Sequence, residues 1–429
     1  MTERSNGGGP ENSRSEIQGT SSLSTKMSGR LANFRPVPTS LRAIFGYHST
    51  SGDLALDTIS IKRHTERFID TTIDSTFSNV EVAIAAELDI DPTEVEFDYN
   101  TKLTMPAELT LGHIYHRAIQ NSPDEFNPIT RKVSTPIMEY FRFPFDKVAE
   151  RRRRKKYLEE SSAQVEEIEL GEQVTELVII ALLDGDMRDA TNDKEYEDFE
   201  VDAPDRISKQ RAAEIAQSTL QSEVEELFEP FAREVRTAYE EAVNISEAHQ
   251  GRDAYYRELM TEGRDRSDDA LENIRQEYKF GTFENVGTKA SIIDPQGLFT
   301  KSEREFPYLK TQYGRVGVIY DGMVEMYRHA GIHVEDLFKR SIIFAIIGAQ
   351  IWLDDIDDYQ DDLEDGQLTP VTAEYILSDT QSDAYESIYD MTKQYLMTAE
   401  NYAAKADSPL AGIGTDYIYR MGDPKVLPR

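Results

Sequence analysis

Apolar residues recur at three- and four-residue intervals over most of the chain beyond Glu166, and Gly and Pro are scarce within these runs. This spacing predicts a succession of helices. They are expected at 170–190, 205–245, 247–279, 308–330, 334–364, 371–377 and 380–405. The segments 191–204 and 280–300 are acidic or rich in Gly and Pro and predict loops, and 408–429 is expected to be irregular. The chain is therefore predicted to be mainly α.

The first third of the chain has a mixed pattern. Val80 to Glu87 predicts a short helix, Val95 to Tyr99 a strand and Leu109 to Gln120 a second helix. The first thirty or so residues are rich in Gly, Ser, Asn and Thr, a composition typical of a disordered tail. We therefore predict three segments: a tail at 1–40, a smaller mixed α/β region at 41–144 and an all-helical domain at 145–429.

The charge balance is strongly acidic. Eighty Asp and Glu residues against 47 Lys and Arg residues give a formal net charge of −33. Self-repulsion at this charge disfavours a compact state unless salt screens it, so we expect a protein from a halophilic, salt-adapted cell. The same balance argues against nucleic acid as a partner, because phosphate contacts need clustered Lys and Arg. Acidic clusters are therefore weak evidence for metal sites in this chain.

Cysteine is absent, which excludes disulfides, zinc–thiolate sites and cysteine nucleophiles. No apolar run reaches the roughly 18–20 residues of a membrane span. The longest candidate, Ile342 to Leu353, is shorter and ends in aspartates. These features predict a soluble cytoplasmic protein with no transmembrane segment.

The segment from Ser341 to Pro370 reads SIIFAIIGAQIWLDDIDDYQDDLEDGQLTP. At about 100° per residue, six aspartates of a continuous helix fall within a sector about 120° wide. They are Asp354, Asp355, Asp358, Asp361, Asp362 and Asp365. Like charges at these spacings repel, whereas a hard divalent cation with oxygen ligands would turn the repulsion into binding.

The same sector contains Phe344, Ile347 and Ile351, one to three turns earlier. An apolar slot that leads into carboxylates suits a substrate with a hydrocarbon tail and an anionic head held through Mg²⁺. The alternative is a core helix that leaves the core at Asp354, so that its acidic end faces concentrated salt. That alternative does not explain why the acidic and apolar residues share one face.

A second segment, from Glu172 to Asp189, repeats this arrangement in the letters EQVTELVIIALLDGDMRD. Asp186 and Asp189 lie about 60° apart on a helix and share their face with Val178, Ile179 and Leu182. Two helices that both run from apolar residues to aspartates can face each other across one cavity.

These residues resemble the motifs of the class I isoprenoid synthase superfamily, in particular the trans-polyprenyl diphosphate synthases. GAQIWLDDIDD, residues 348–358, is similar to the second aspartate-rich motif, with Gln350 four residues before Asp354. In the family, a Lys-Thr pair precedes that motif. In this chain the corresponding pair is Lys310 and Thr311, and Lys310 precedes Asp354 by 44 positions. ELVIIALLDGDMRD resembles the first motif. The resemblance covers about half of the chain, from about 170 to 377.

The resemblance implies an all-helical bundle with two aspartate-rich motifs around Mg²⁺ and an allylic diphosphate, and commonly a homodimer. It implies metal ligands at Asp186, Asp189, Asp354, Asp355, Asp358 and Asp362. It implies substrate contacts at Lys310 and Gln350, with Phe344, Ile347 and Ile351 along an apolar cavity. Prenyltransferase and terpene synthase reactions both stay open. Aspartates at intervals of four from Asp354 also resemble the metal motif of a terpene cyclase. The sequence from Asp358 to Pro370 also resembles the second motif of squalene and phytoene synthases.

Two other classes of function stay open. Gly185 stands where the first motif has its leading aspartate, and no Gly-Gly-Lys-x-Arg segment is found upstream. A catalytically inactive helical scaffold or interaction protein with a synthase-like fold would explain both departures. The second of these classes is calcium binding without catalysis. The residues Asp184, Asp186, Asn192 and Glu195 match positions one, three, nine and twelve of an EF-hand loop. A synthase binds Mg²⁺ and diphosphate jointly, and a scaffold binds neither.

Overall fold

The computed structural model describes residues 39–51, 56–99, 104–133, 146–203, 207–283 and 291–429. The chain divides into two compact units, Met1–Leu54 and Ala55–Arg429. In the first unit the described residues form helix α1, Thr39–Ser51. The predicted tail at 1–40 lies outside the described residues, except for the first two residues of α1. The predicted boundary near residue 145 stays a prediction.

The N-terminal part of the second unit combines helices with two small antiparallel strand pairs. Its helices are α2 (Leu56–Leu88), α3 (Met105–Gln120), α4 (Asp146–Glu160), α5 (Ser162–Asp193), α6 (Lys209–Phe228) and α7 (Arg233–Gln250). Its strands are β1 (Glu96–Tyr99), β2 (Phe126–Asn127), β3 (Lys132–Val133) and β4 (Phe199–Asp202). β1 pairs with β4, and β2 pairs with β3. The strand predicted at 95–99 is confirmed.

The rest of the unit is helical in the residues that the structure describes. The α-helices are α8 (Asp253–Arg264), α9 (Asp268–Asn273), α10 (Pro295–Leu298), α11 (Leu309–Gln312), α12 (Val318–His329), α13 (Asp336–Ala349), α14 (Tyr359–Asp365), α15 (Pro370–Leu377), α16 (Gln381–Lys405) and α17 (Pro409–Met421). π-helical turns follow α9, α11 and α13, at Ile274–Lys279, Tyr313–Gly317 and Gln350–Asp355. Short 3₁₀ turns occur at Pro92–Glu94, Tyr196–Asp198, Glu303–Glu305 and Pro424–Val426. The prediction of a mainly α fold is confirmed.

Two large apolar clusters form the core. One joins residues of α2, α3 and β1 to α5, α6 and α12, and the other lies around α13, α15 and α16. α12 packs closely along α7 because Gly322 has no side chain: a Cβ there would lie 2.4 Å from the Cβ of Ala242. The hydroxyls of Thr175 on α5 and Tyr327 on α12 lie 2.7 Å apart in the core. These contacts bring α5, α7 and α12 together.

Several predicted helix bounds were wrong for identifiable reasons. The helix predicted at 205–245 is interrupted around Pro230, where α6 ends and α7 begins, because proline removes a backbone donor. The segment predicted to be irregular at 408–429 contains α17, whose first residue, Pro409, suits the first turn of a helix. The helix predicted at 334–364 is interrupted after Asp355. Within the described residues, no helix has both the length and the apolar character required to cross a membrane.

Candidate functional site

A cavity of about 790 Å³ lies between α5, α7, α12 and the π-helical turn after α13. Its charged and amide side chains are Asp186, Arg188, Asp189, Asn192, Glu195, Glu247, His249, Gln250, Asp253, Arg257, Arg315, Gln350, Asp354 and Gln367. Its apolar side chains are Val178, Ala181, Leu182, Ala242, Val243, Val316, Ile319, Met323, Met326 and Leu368. The volume falls within the roughly 300–1,000 Å³ typical of small-molecule sites.

The cavity is apolar at one end and charged at the other. The hydroxyl contact between Thr175 and Tyr327 places the part of α5 that begins with Val178 near the C-terminal part of α12, which carries Met326. At the other end, Asp186 is close enough to Tyr320 to raise the pKa of its phenol, to which burial contributes most. α5 and α12 therefore run in opposite directions past the cavity, and their apolar ends coincide.

Aspartates of both predicted motifs reach this cavity. Asp186 and Asp189 line it from α5, and Asp354 lines it from the π-helical turn after α13. Gln350 also lines it and donates a hydrogen bond from its amide to the Asp354 carboxylate. Four predicted site residues are thus brought together around one cavity, and their roles as ligands stay predictions.

Asp355 does not line the cavity, and its predicted role as a metal ligand stays a prediction. Only 1% of its side chain is exposed, and its Oδ1 lies 3.0 Å from Nη1 of Arg315. Its other oxygen, Oδ2, is buried and has no hydrogen-bond partner among the described residues. Arg315 itself lines the cavity, so the Asp355 carboxylate holds this guanidinium in the wall.

Asp358 and Asp362 do not line the cavity. Asp358 is exposed, and Asp362 is half-buried and accepts a hydrogen bond from the Thr369 side chain. The prediction that six aspartates share one sector assumes a continuous α-helix. The chain instead passes through a π-helical turn and a non-helical turn at 356–358 before α14, so the azimuths of later residues change.

The predicted substrate contacts Phe344, Ile347 and Ile351 do not line this cavity, and their role in binding stays a prediction. All three side chains are 0% exposed and belong to the C-terminal core cluster, where the Phe344 ring packs against Phe299 and Tyr395. The apolar side chains that line the cavity come mainly from α5, α7 and α12, whereas Phe344, Ile347 and Ile351 are buried in the C-terminal core cluster.

Lys310 also lies outside the cavity lining. It is half-buried beside Gly281, where a Cβ would be 2.8 Å from the Lys310 Cδ. Burial lowers the pKa of its ammonium, and the nearby Arg252 charge adds to this effect. The adjacent Thr311 is buried and donates to the Tyr278 carbonyl at 3.1 Å. Lys310 is therefore near the charged end without forming its wall.

Burial shifts several titrating groups around the charged end. It raises the pKa of Asp355 to about 7, against the opposing effect of Arg315. It raises the pKa of Asp362 to about 6, again opposed by Arg315. Burial lowers the pKa of His249 to about 4, and Arg315 and Arg252 add to the effect, so this imidazole is neutral at pH 7.

Among the described residues, no group of three or more His, Asp or Glu side chains is placed to hold a metal ion by itself. Asp186, Asp189 and Asp354 lie on two sides of one cavity. Mg²⁺ commonly takes one or two protein carboxylates and completes its shell with water and substrate phosphates. Magnesium binding by these aspartates therefore stays a prediction.

The sequence did not point to Arg315 or Tyr99. Arg315 is the single charged residue in the run YGRVGVIY, whose other residues are apolar, aromatic or glycine. A lone cation in such a run was the one sequence feature that could have identified Arg315 as a candidate site residue. Tyr99 is the last residue of β1; burial raises the pKa of its phenol, and the nearby Asp186 carboxylate adds to this effect. No local pattern relates Tyr99 to a helix almost ninety residues further along the chain.

The fold and the cavity together define a mainly helical protein with an internal site that changes from apolar to acidic. Comparison of the chain with family models, with curated proteins and with solved structures found no significant match. The resemblance to isoprenoid synthases therefore depends on the motif residues alone and stays a prediction.

Proposed function

We propose that the protein binds an allylic prenyl diphosphate together with Mg²⁺ and ionises it, as a prenyltransferase or terpene synthase does. The observation that carries this proposal is the position of Asp186 and Asp189 on α5 and Asp354 beyond α13, around one cavity. The opposite end of that cavity is formed by Val178, Met326 and other apolar side chains. Such a site fits a ligand with a hydrocarbon tail and a polyanionic head.

Asp186, Asp189 and Asp354 would hold Mg²⁺, which neutralises the negative charge of the diphosphate leaving group when it is bound. Arg315 faces the same space and is held at 3.0 Å by Asp355. Burial disfavours its charged form, but Asp355, Tyr278 and two further aspartates together outweigh burial and raise the Arg315 pKa above its usual value. A permanently charged planar guanidinium can donate two hydrogen bonds to phosphate oxygens.

The apolar wall has a chemical role in this proposal. A hydrocarbon cation formed on ionisation is destroyed by water, so the tail must lie where water is excluded. Met323 and Met326 are buried side chains of α12 that line the cavity, and Leu182 faces them from α5. Methionine adapts its shape to apolar ligands because its side chain is unbranched and flexible.

A second function, that of a catalytically inactive scaffold, is favoured by two ion pairs. Arg188 lies 2.6 Å from Asp184, and Arg315 lies 3.0 Å from Asp355. Each pair neutralises a carboxylate of a predicted motif without any cation from outside. Under this alternative the aspartates that remain in the cavity would face salt water and bind no diphosphate.

The test is isothermal titration of farnesyl or geranylgeranyl diphosphate into the protein in molar KCl, with and without Mg²⁺. Asp354→Asn removes one cavity carboxylate, and Asp361→Asn is the matched control, because Asp361 is exposed and does not line the cavity. We expect Mg²⁺-dependent binding that weakens about tenfold or more in Asp354→Asn, the size of effect expected for loss of a charged contact. Asp361→Asn should bind like the wild type.

Two outcomes would count against the proposal. Absence of Mg²⁺-dependent binding by the wild type would favour the scaffold, and equal weakening in both variants would assign the effect to general charge. Release of inorganic diphosphate from the bound substrate, measured in the same samples, distinguishes an enzyme from a protein that only binds the ligand.

A further inference from the structure

Trp352 is the single tryptophan of the chain and belongs to the π-helical turn Gln350–Asp355. Gln350 and Asp354 line the cavity, and because they are four residues apart they lie on the same side of the turn. Trp352 is halfway between them, so its side chain leaves the turn on the opposite side. Only 3% of this side chain is exposed, and it belongs to the C-terminal core cluster. The turn thus has a front that faces the cavity and a back formed by one large side chain.

The end of α17 holds the indole in place. The Nε1–H of Trp352 donates a hydrogen bond to the Tyr419 carbonyl at 3.1 Å. The Tyr419 ring is parallel to the indole, with a centroid distance of 6.0 Å, and the Tyr389 ring of α16 approaches it edge-on at 5.8 Å. A buried indole N–H needs an acceptor of this kind. The position of Trp352 is therefore fixed by its ring contacts and by its N–H.

The residue that follows α17 also contacts the indole. A Cβ at Gly422 would overlap Nε1 and Cδ1 of Trp352 and would lie 2.6 Å from its Cε2. Gly422 has a φ of −66° and a ψ of 142°, an extended conformation that alanine adopts without strain. The absence of a side chain is thus needed for the close approach of Trp352, and the backbone angles do not require glycine.

The rest of the segment 419–429, here called the clasp, packs on the same core cluster. Leu427 is 4% exposed and belongs to the cluster that contains Trp352. The hydroxyl of Tyr375 on α15 donates to the Pro428 carbonyl at 2.6 Å. The clasp is therefore held at α15 as well as at the π-helical turn.

The π-helical turn depends on contacts outside its own helix. Such turns are rare, so tertiary contacts have to favour one over a regular α-helical turn. On one side of this turn, Asp355 contacts Arg315 at 3.0 Å, and on another side Trp352 contacts the clasp. Because Trp352 and Asp354 are two residues apart in the same turn, a displacement of the indole also displaces the Asp354 carboxylate and the Gln350 amide that donates to it.

We propose that Trp352 is a positioning residue that, held by the clasp, keeps Asp354 and Gln350 in the wall of the ligand cavity. The inference rests on the proposed function, because the position of these side chains matters through the ligand that they bind. Within the described residues, no member of the clasp lines the cavity. The clasp would thus control the affinity for a magnesium–diphosphate ligand without touching that ligand.

The experiment is Mg²⁺-dependent titration of farnesyl diphosphate in molar KCl into two glycine variants. Gly422→Ala adds one methyl group against the indole. Gly112→Ala is the matched control, because its Cβ would overlap Cδ2 of Leu410, at the opposite end of α17 and outside the cavity lining. We expect Gly422→Ala to weaken binding about tenfold, as for loss of a contact between charged groups, and Gly112→Ala to bind like the wild type. The fluorescence emission of Trp352 should change in Gly422→Ala alone.

Two further variants separate positioning from general stability. Trp352→Phe removes the N–H that donates to Tyr419 without adding an atom, and it should also weaken diphosphate binding. Asp354→Asn provides the second background of a double-mutant cycle. In that background Gly422→Ala should have little further effect, because the carboxylate on which it acts is already lost.

The possible results distinguish this inference from the proposed function. If the wild type binds no magnesium–diphosphate, both the proposed function and the positioning role are refuted. If the wild type binds, and Gly422→Ala and Trp352→Phe bind equally well, the positioning role alone is refuted. Equal weakening by Gly422→Ala with and without the Asp354 carboxylate, or equal weakening by Gly112→Ala, would also overturn it, because the effect would then come from the general stability of the fold.

Discussion

Replacement of Arg315 by methionine tests how the charged end of the cavity is built. Methionine keeps much of the aliphatic stem and removes the guanidinium that lies 3.0 Å from the Asp355 carboxylate. Removal of one partner of a buried ion pair typically costs about 3–5 kcal/mol, because the other charge stays buried without compensation. The Arg315 side chain is 32% exposed, so water screens part of this interaction, and we expect a decrease of about 2–3 kcal/mol in the free energy of unfolding at pH 8.

The cost should depend on pH in a definite direction. Burial raises the pKa of folded Asp355 to about 7, whereas an unfolded aspartate titrates near pH ~3.9. Between these values the folded state binds more protons, so the contribution of Asp355 to stability falls as pH rises through this window. Without Arg315 the folded pKa rises further. At pH 5 Asp355 is protonated in the folded variant, and the substitution should therefore cost less than at pH 8.

The assay is urea unfolding followed by circular dichroism in molar KCl at pH 5 and pH 8. The control is the double variant Arg315→Met, Asp355→Asn, which removes the buried charge together with its partner. It should recover at least half of the lost stability at pH 8 and show little difference between the two pH values. A single variant that loses equal stability at both pH values, or a double variant as unstable as the single, would refute the assignment of Asp355 as a buried charge held by Arg315.

Three further substitutions test the packing of the helices and a buried ion pair. Gly322→Ala should lower the free energy of unfolding by about 1–3 kcal/mol, because its Cβ would lie 2.4 Å from that of Ala242. Gly185→Ala, in the open part of α5, should instead be neutral or stabilise the protein by up to about 1 kcal/mol. Thermal melting of the two variants compares their stabilities. Equal losses in the two glycine variants would contradict this account of helix packing. Lys339→Met should lower the free energy of unfolding, measured with urea, by about 3–5 kcal/mol, because the buried Asp321 carboxylate loses its ammonium partner. A loss below about 1 kcal/mol would show that other groups compensate the charge of this carboxylate.

The helical class of the fold could be predicted from the sequence because amphipathic spacing is a local property. The apolar-to-acidic course of α5 could be predicted for the same reason, since α5 is a regular helix from Ser162 to Asp193 and its residues keep their expected azimuths. Val178, Ile179, Leu182, Asp186 and Asp189 were expected on one face, and all of them except the buried Ile179 line one cavity. A local periodicity is thus sufficient where the backbone is regular.

The course of α13 could not be predicted in the same way. Its residues were assigned to faces at about 100° each, but a π-helical turn has more residues per turn and rotates every later side chain. Phe344 and Ile347 precede this turn and are buried because α13 packs against α16, whereas Asp358 lies beyond the turn and does not line the cavity. Nothing local in the sequence distinguishes a π-helical turn from an α-helical one here, since both satisfy most of the backbone hydrogen bonds.

The same π-helical turn explains why two adjacent aspartates have different environments. Asp354 lines the cavity, and Asp355 is buried against Arg315. Arg315 belongs to a second π-helical turn, at Tyr313–Gly317. Tyr278 also lines the cavity and belongs to the third π-helical turn that the described residues contain. π-helical turns often occur at functional sites because they are a local irregularity that redirects side chains. Three of them around one cavity indicate that the irregular backbone is needed to bring Arg315 and Asp354 into the same wall, and a designed return to regular helix at 350–355 should separate these two charges.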